Sequence, residues 1–241
     1  MARPANIQPT DYRRRSFVAR ALLAAGARFS EENGAAVAAD FGDPAGEVAA
    51  ASWLGLADLS PLPRAGFKGK GTAEWLATQG VHVPELSNQA VAQDGGALAA
   101  RLAPTEVLVL GTIAGDDDLP ARLTAAWAQA PMPPRKPRGY PVPRADSHAW
   151  FLVTGACAPS MFAKICGVDL REQYFAPGRI AQTSIARLNG VIIRDDAGGS
   201  LAFHLLADSA SAAYLWGALR DAMAEFDGAP VGLLALRKLR A

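Results

Sequence analysis

Cysteine occurs only twice in 241 residues, as Cys157 and Cys166, nine positions apart. That scarcity excludes a disulfide framework and a CxxC zinc site, and it makes a reducing cytoplasm the expected location. Histidine is nearly as rare. His82, His148 and His204 lie far apart, without the HxH or HExxH spacing that would hold a metal. No apolar run approaches the roughly 18–20 residues a bilayer-spanning helix needs. Neither sign of charge dominates: 24 Lys and Arg against 23 Asp and Glu leave a net +1. A balance that even excludes a global field drawing the chain to nucleic acid or a membrane.

What is present is globular in character. Half of the residues are apolar and 20% are charged, which sets the chain apart from disordered sequences. The length suits one large domain or two small ones with a real core. Alanine is frequent, especially before residue 130, and favours helix without indicating function. Near the N-terminus, Arg13-Arg14-Arg15-Ser16-Phe17-Val18 has the look of a twin-arginine export signal. Arg20, Arg28 and Glu31-Glu32 break the apolar segment that should follow, so residues 1–19 read as a flexible basic tail.

Residues 131–144, PMPPRKPRGYPVPR, contain six prolines. Proline forbids regular helix and most sheet pairing, so this stretch reads as an extended, semi-rigid linker. Its basic residues Arg135, Lys136, Arg138 and Arg144 fit a docking arm equally well. It divides the chain into modules at 20–130 and 145–241. These echo one another weakly: Asp94-Gly95-Gly96-Ala97-Leu98-Ala99 resembles Ala197-Gly198-Gly199-Ser200-Leu201-Ala202, and helical runs over 119–130 and 209–226 follow.

The second module is the more legible. Ala149–Val153 is a strand ending at Gly155, and Ala158–Cys166 a short helix with Pro159 in its first turn. Strands are expected over Ile180–Leu188 and Val191–Asp195, with Asn189-Gly190 as the hairpin turn. A further strand covers Ser200–Leu206. Ala210, Ala213, Tyr214, Trp216, Gly217, Leu219, Met223 and Phe226 then form a helical apolar stripe. Trp216 and Tyr214 read mostly as core, part of which a partner would cover. Antiparallel strands with helices on one face make an α+β fold.

Motifs that carry chemistry are absent or out of register. Gly66-Phe67-Lys68-Gly69-Lys70-Gly71-Thr72 lacks the Gly-Lys-Ser/Thr order of a phosphate loop, and reads as a turn feeding a helix. Asp146-Ser147-His148 has no nucleophile elbow around it, and reads as capping residues before a strand. His204 fits a satisfied side chain in a strand. Cys157 and Cys166 read as small apolar residues. Asp116-Asp117-Asp118 reads as a solvated helix start favoured by the dipole. Only Tyr140 interrupts the basic proline segment with an aromatic ring, too little for RNA binding.

A resemblance adds to this reading. Asp169-Leu170, Phe175, Gln182-Thr183-Ser184, Tyr214-Leu215-Trp216 and Glu225-Phe226 fall in the order and spacing found in the gamma subunit of heterotetrameric sarcosine oxidase. That family is related to the glycine-cleavage aminomethyltransferases. Gly26-Ala27-Arg28-Phe29, Gly55-Leu56-Ala57-Asp58-Leu59-Ser60, Gly66-Phe67-Lys68-Gly69 and Gly228-Ala229-Pro230-Val231-Gly232-Leu233 resemble aminomethyltransferase landmarks. The likeness covers about residues 20–241. It implies an aminomethyltransferase-like folate-binding fold built of two related modules of antiparallel sheet and packed helices.

It also implies a place in a complex that oxidatively demethylates sarcosine, with one-carbon transfer to tetrahydrofolate. In that family FAD, FMN, NAD, tetrahydrofolate and zinc belong to other subunits. The partners would be alpha, beta and delta subunits, mainly the aminomethyltransferase-like half of alpha. The departures from the aminomethyltransferase pattern agree with a non-catalytic role. A Gly-Gly-x-x-Asp-Asp-like segment that addresses folate there is Gly95-Gly96-Ala97-Leu98-Ala99-Ala100 here, so both carboxylates are alanine. The family's asparagine falls on Gly111. Its Arg-Thr-Gly-Tyr-like turn is Arg194-Asp195-Asp196-Ala197-Gly198. The Lys-Gly-Cys motif of the iron–sulfur-assembly branch is missing. No catalytic, cofactor-binding or metal-binding residue is expected in this chain. Alternatives left open are a stand-alone folate-dependent aminomethyltransferase and the equivalent subunit of an N-methylglutamate dehydrogenase.

Overall fold

A computed structural model describes residues 6–115, 118–130 and 139–241. The elements begin with β1 (Arg14–Arg15), α1 (Ala19–Ala24), β2 (Arg28–Glu32), β3 (Ala35–Asp40), α2 (Pro44–Leu54) and β4 (Gly55–Asp58). Next come β5 (Arg64–Lys68), α3 (Thr72–Thr78), β6 (Gln89–Ala92), β7 (Leu98–Ala103), β8 (Glu106–Leu110), α4 (Leu119–Gln129) and β9 (Tyr140–Val142). The chain continues with α5 (Arg144–Ser147), β10 (His148–Thr154), α6 (Ala158–Phe162), β11 (Ile180–Ile185) and β12 (Leu188–Arg194). It closes with β13 (Ala202–Asp208), α7 (Ala212–Ala224), β14 (Ala229–Pro230) and α8 (Leu233–Arg240).

Two compact units result, and they cut across the halves drawn at the proline-rich segment. The first contains residues up to 62, then 148–177 and 183–241; the second contains 63–147 and 178–182. The reason is the sheet of the first unit, ordered β11-β12-β13-β10-β4-β14. Its central strand β10 pairs antiparallel with β13 on one side and with β4 on the other. A strand from before the second unit thus pairs with one from after it.

The sequence of β10 explains its central place. Ala149-Trp150-Phe151-Leu152-Val153 is a continuous apolar run with no polar alternation, as a strand covered on both faces requires. All five are fully buried. The Phe151 ring meets Trp216 of α7 edge-on at 5.5 Å. Phe203 of β13 contacts Phe162 and Phe175 at 5.6 and 6.5 Å. In the second unit the sheet runs β6-β7-β8-β5-β9. Phe67, Trp75 and Trp127, with centroids 4.8–5.7 Å apart, centre its core.

Several local expectations shift. The hairpin turn between β11 and β12 is Ala186-Arg187, with φ of 47° and 67°, not Asn189-Gly190. Gly190 lies within β12 because the sheet leaves it no room: a Cβ there would sit 2.6 Å from the Ile185 side chain and 3.1 Å from the Leu206 carbonyl. Register with β13 therefore outweighs the local turn preference, and two non-glycine residues take the left-handed positions. The apolar stripe of α7 is also rotated from the one expected. Ala212, Leu215, Trp216, Leu219, Ala222 and Met223 face inward, while Ala213, Tyr214 and Gly217 are exposed.

The N-terminal stretch expected to be a flexible tail is docked from residue 6 onward. Asn6 accepts a hydrogen bond from the Phe29 amide at 2.9 Å, β1 pairs with β3, and Tyr12 donates to Glu31 at 3.0 Å. Ser16, Val18 and Leu22 are buried. In the proline-rich segment, residues 131–138, including the basic Arg135, Lys136 and Arg138, lie outside the described residues. Tyr140–Val142 does pair, antiparallel to β5 at the sheet edge, where proline is tolerated. Arg144 follows it and is ion-paired with Glu106.

Candidate functional site

The hairpin of β6 and β7 carries the positions where the resemblance expects a folate-addressing carboxylate. Val91 pairs with Ala99 and Ala90 with Ala100, while β8 places Val109 opposite Ala99 from the other side. The turn closes on itself: the Gln93 amide donates to Ala97 O at 2.8 Å. Its side chain accepts from the His82 amide at 2.9 Å and donates to His82 O at 3.0 Å and Val91 O at 3.1 Å. Ala99 and Ala100 are both 0% exposed. Ala99 belongs to the core cluster with Phe67, Val107, Val109 and Trp127, where a methyl fits and a carboxylate would find an apolar shell.

Gly111, where the family's asparagine falls, is equally closed to a side chain. Its amide donates to Pro63 O at 2.9 Å, and a Cβ would lie 2.6 Å from that carbonyl. Both positions are thus closed to the polar side chains that the resemblance places there. The near-phosphate loop is also engaged otherwise: Lys68 ends β5 with its ammonium 3.0 Å from Glu106, and Thr72 is buried at the start of α3.

In the first unit the Arg194-Asp195-Asp196 segment builds a polar knot. Arg194, 1% exposed, grips Asp196 with two hydrogen bonds of 2.9 and 2.6 Å and donates to the carbonyls of Phe175 and Glu172 at 2.6 and 3.2 Å. It thereby ties the loop before β11 to the end of β12. Asp196 is the main reason the Arg194 guanidinium holds its proton more tightly than usual.

Beside it, the Trp150 indole donates to His204 Nδ1 at 3.0 Å. That bond leaves the proton of a neutral imidazole on Nε2, which faces Asp195 Oδ2 at 3.3 Å. Burial pushes the His204 pKa down, and the Asp195 carboxylate only partly offsets this. Burial opposes ionisation of Asp195 too, but the hydrogen bond from His204 and the charge of Arg240, 2.7 Å away, outweigh it. Asp195 is held well below the usual carboxylate range. Both ring nitrogens of His204 have partners, so it is the satisfied side chain its strand position implies, while Arg240 Nε is buried without one.

The remaining candidates do not converge. Asp146 and Ser147 close the short helix α5, and their amides donate to Pro143 O, while His148 opens β10 opposite Asp208. Asp118 caps α4 by accepting from the Ala121 amide at 3.3 Å; Asp116 and Asp117 lie outside the described residues. Cys166 is buried and Cys157 half-buried, both as free thiols. Two shallow grooves of about 490 and 630 Å³ flank Cys166 and Gly167, one reaching Asp169 and Arg171, the other Arg187, Tyr214 and Asp221. Asp169 and Arg171 are paired with each other at 2.6 Å. No group of three or more His, Cys, Asp or Glu that could hold a metal occurs among the described residues. No described helix is long and apolar enough to cross a membrane.

No family model matches this sequence, and no curated protein does. Among solved structures, heterotetrameric sarcosine oxidase from Corynebacterium sp. U-96, in complex with pyrrole 2-carboxylate, contains a similar chain. The TM-score is 0.59 at 21% identity, over 76% of this chain and 92% of that one. Glycine cleavage system aminomethyltransferase T from Bartonella henselae is similar at a TM-score of 0.70 and 15% identity. That match covers 94% of this chain but only 61% of the aminomethyltransferase. At such identities the likeness shows the fold. It is the α+β fold of aminomethyltransferase T, as the sequence landmarks imply.

Proposed function

We propose that this chain is a non-catalytic, gamma-type subunit of a heterotetrameric sarcosine oxidase or a close relative. The complex oxidises an N-methyl amino acid, reduces dioxygen to hydrogen peroxide, and passes the one-carbon unit to tetrahydrofolate or releases it as formaldehyde. The flavins, NAD, folate site and zinc belong to the other subunits, and the assembly is cytoplasmic. The chain packs against the aminomethyltransferase-like half of the largest subunit and helps exclude water from the path of the reactive one-carbon intermediate.

The observation that carries this reading is the pair of fully buried alanines, Ala99 and Ala100, at the folate-addressing position. The likeness to a chain of sarcosine oxidase along 92% of that chain's length supports it. Native mass spectrometry of the tagged chain, purified from its own cells grown on an N-methylated amino acid, tests it. A yellow four-subunit complex is expected; recovery alone and colourless would overturn it. The TM-score of 0.70 to an aminomethyltransferase favours a second reading, a stand-alone folate enzyme. Calorimetric titration of the purified chain with tetrahydrofolate decides that reading, and we expect no heat of binding.

A further inference from the structure

The arginine-rich segment that looked like an export signal is folded onto the first unit, and its exposed side chains are largely unpartnered among the described residues. Val18 and Leu22 are buried, whereas Phe17, in the turn that leads into α1, and Arg20 and Leu23, three apart on α1 itself, are exposed. Phe17 is 42% exposed and Leu23 44%. Arg13, Arg14 and Arg15 precede them, all exposed, and among the described residues only the Arg15 side chain makes a hydrogen bond, to Tyr12 O at 3.0 Å. Arg13, Arg14 and Arg20 have no ion pair among the described residues. From Tyr12 to Ser30 the sequence contains no acidic residue, and every cation in it is arginine.

We propose that this face docks an acidic protein surface, with Phe17 and Leu23 seated in an apolar depression ringed by carboxylates. The inference rests on the reading of the chain as a subunit, and names the part of it that meets a partner. Three features favour a protein over other anionic surfaces. Arginine forks match carboxylates in pairs and are enriched, with aromatic rings, at protein interfaces. The helix of six residues is too short to lie in a membrane interface as amphipathic anchors do. Phe17 alone does not make the run of stacking rings that single-stranded nucleic acid uses.

The test compares the tagged full chain with a triple variant, R13E/R14E/R20E, and with Phe17→Ser. All four side chains are exposed, so thermal midpoints should stay near that of the unaltered chain. Each protein is purified from its own cells, and the stoichiometry of co-purifying subunits is read by native mass spectrometry at low and high salt. We expect recovery of partners to fall at least about a hundredfold in the triple variant and to be salt-sensitive in the unaltered chain. Phe17→Ser should weaken it without changing the salt dependence. An intact complex with the triple variant overturns this surface and leaves the subunit reading standing. An unaltered chain recovered alone overturns both. Binding of the unaltered chain, but not the variant, to phosphatidylglycerol vesicles or to a single-stranded RNA in place of subunits overturns the protein assignment.

Discussion

Replacing Ala99 with aspartate restores the carboxylate that a folate-binding relative would carry, and the surroundings allow its cost to be worked out. Ala99 is fully buried between Val91 and Val109, in a cluster with Phe67 and Trp127. A carboxyl group in such a site is expected to rise by about 3–5 pKa units, to between about 7 and 9. At pH 7 it is then protonated when folded and ionised when unfolded. The proton taken up over about three units, at 1.36 kcal/mol each, costs about 4 kcal/mol. At pH 5 the same interval shrinks to about one unit and the cost to about 1.5 kcal/mol. Burying the neutral acid without a partner adds about 1–3 kcal/mol at both pH values. Against the ordinary stability of a domain, about 5–15 kcal/mol, Ala99→Asp should be near unfolding at pH 7 and partly rescued at pH 5. Urea denaturation at both pH values measures this, with Ala99→Asn as a control of similar size that does not titrate. An Ala99→Asp protein with an unchanged midpoint at pH 7, or one that binds tetrahydrofolate, would refute the reasoning.

Other predictions follow the same logic. Arg194→Met removes both guanidinium hydrogen bonds to Asp196 and the donor to two carbonyls, and should destabilise the first unit by about 3–5 kcal/mol, with faster proteolysis of the 167–179 loop. The folded His204 has its pKa lowered, so the unfolded state binds the extra proton first and stability falls as pH drops below about 6.5. Thermal midpoints from pH 8 to pH 5 should record that fall, and His204→Gln should flatten it. Gly111→Asn forces a Cβ against the Pro63 carbonyl and should cost at least about 1–3 kcal/mol by chemical denaturation.

The central strand was legible because Ala149–Val153 needs no context to be read as buried, and α7 because its period is long and regular. The hairpin at residues 186–187 was not, because Asn189-Gly190 is the stronger local turn signal and only the closeness of β13 to Gly190 overrides it. The docking of Tyr12–Val18 rests on pairing with β3, a partner about twenty residues away that no local pattern announces. For the candidate site, the alanines at 99 and 100, where the resemblance expects carboxylates, are read directly from the sequence. The aromatic trio that closes the space around Ala99 was not, since Phe67, Trp75 and Trp127 come from three separate elements. The knot at Asp195 was invisible for a similar reason: Trp150, His204 and Arg240 reach it from two strands and the last helix.

The pairing of β4 with β10 also sets a timetable for the ribosome. Residues 55–58 emerge early and wait for residues 148–154, while the whole of the intervening 63–147 is made. At about 5–20 residues per second that delay is roughly 5–18 s. During it β4 lacks its neighbour, and a strand with unpaired edge groups invites pairing with other chains. The second unit, nearly continuous in sequence, has all but five of its residues by then. Slow stretches or chaperone sites are therefore best placed just after residue 62, and premature termination before residue 154 yields a fragment with a bare strand edge.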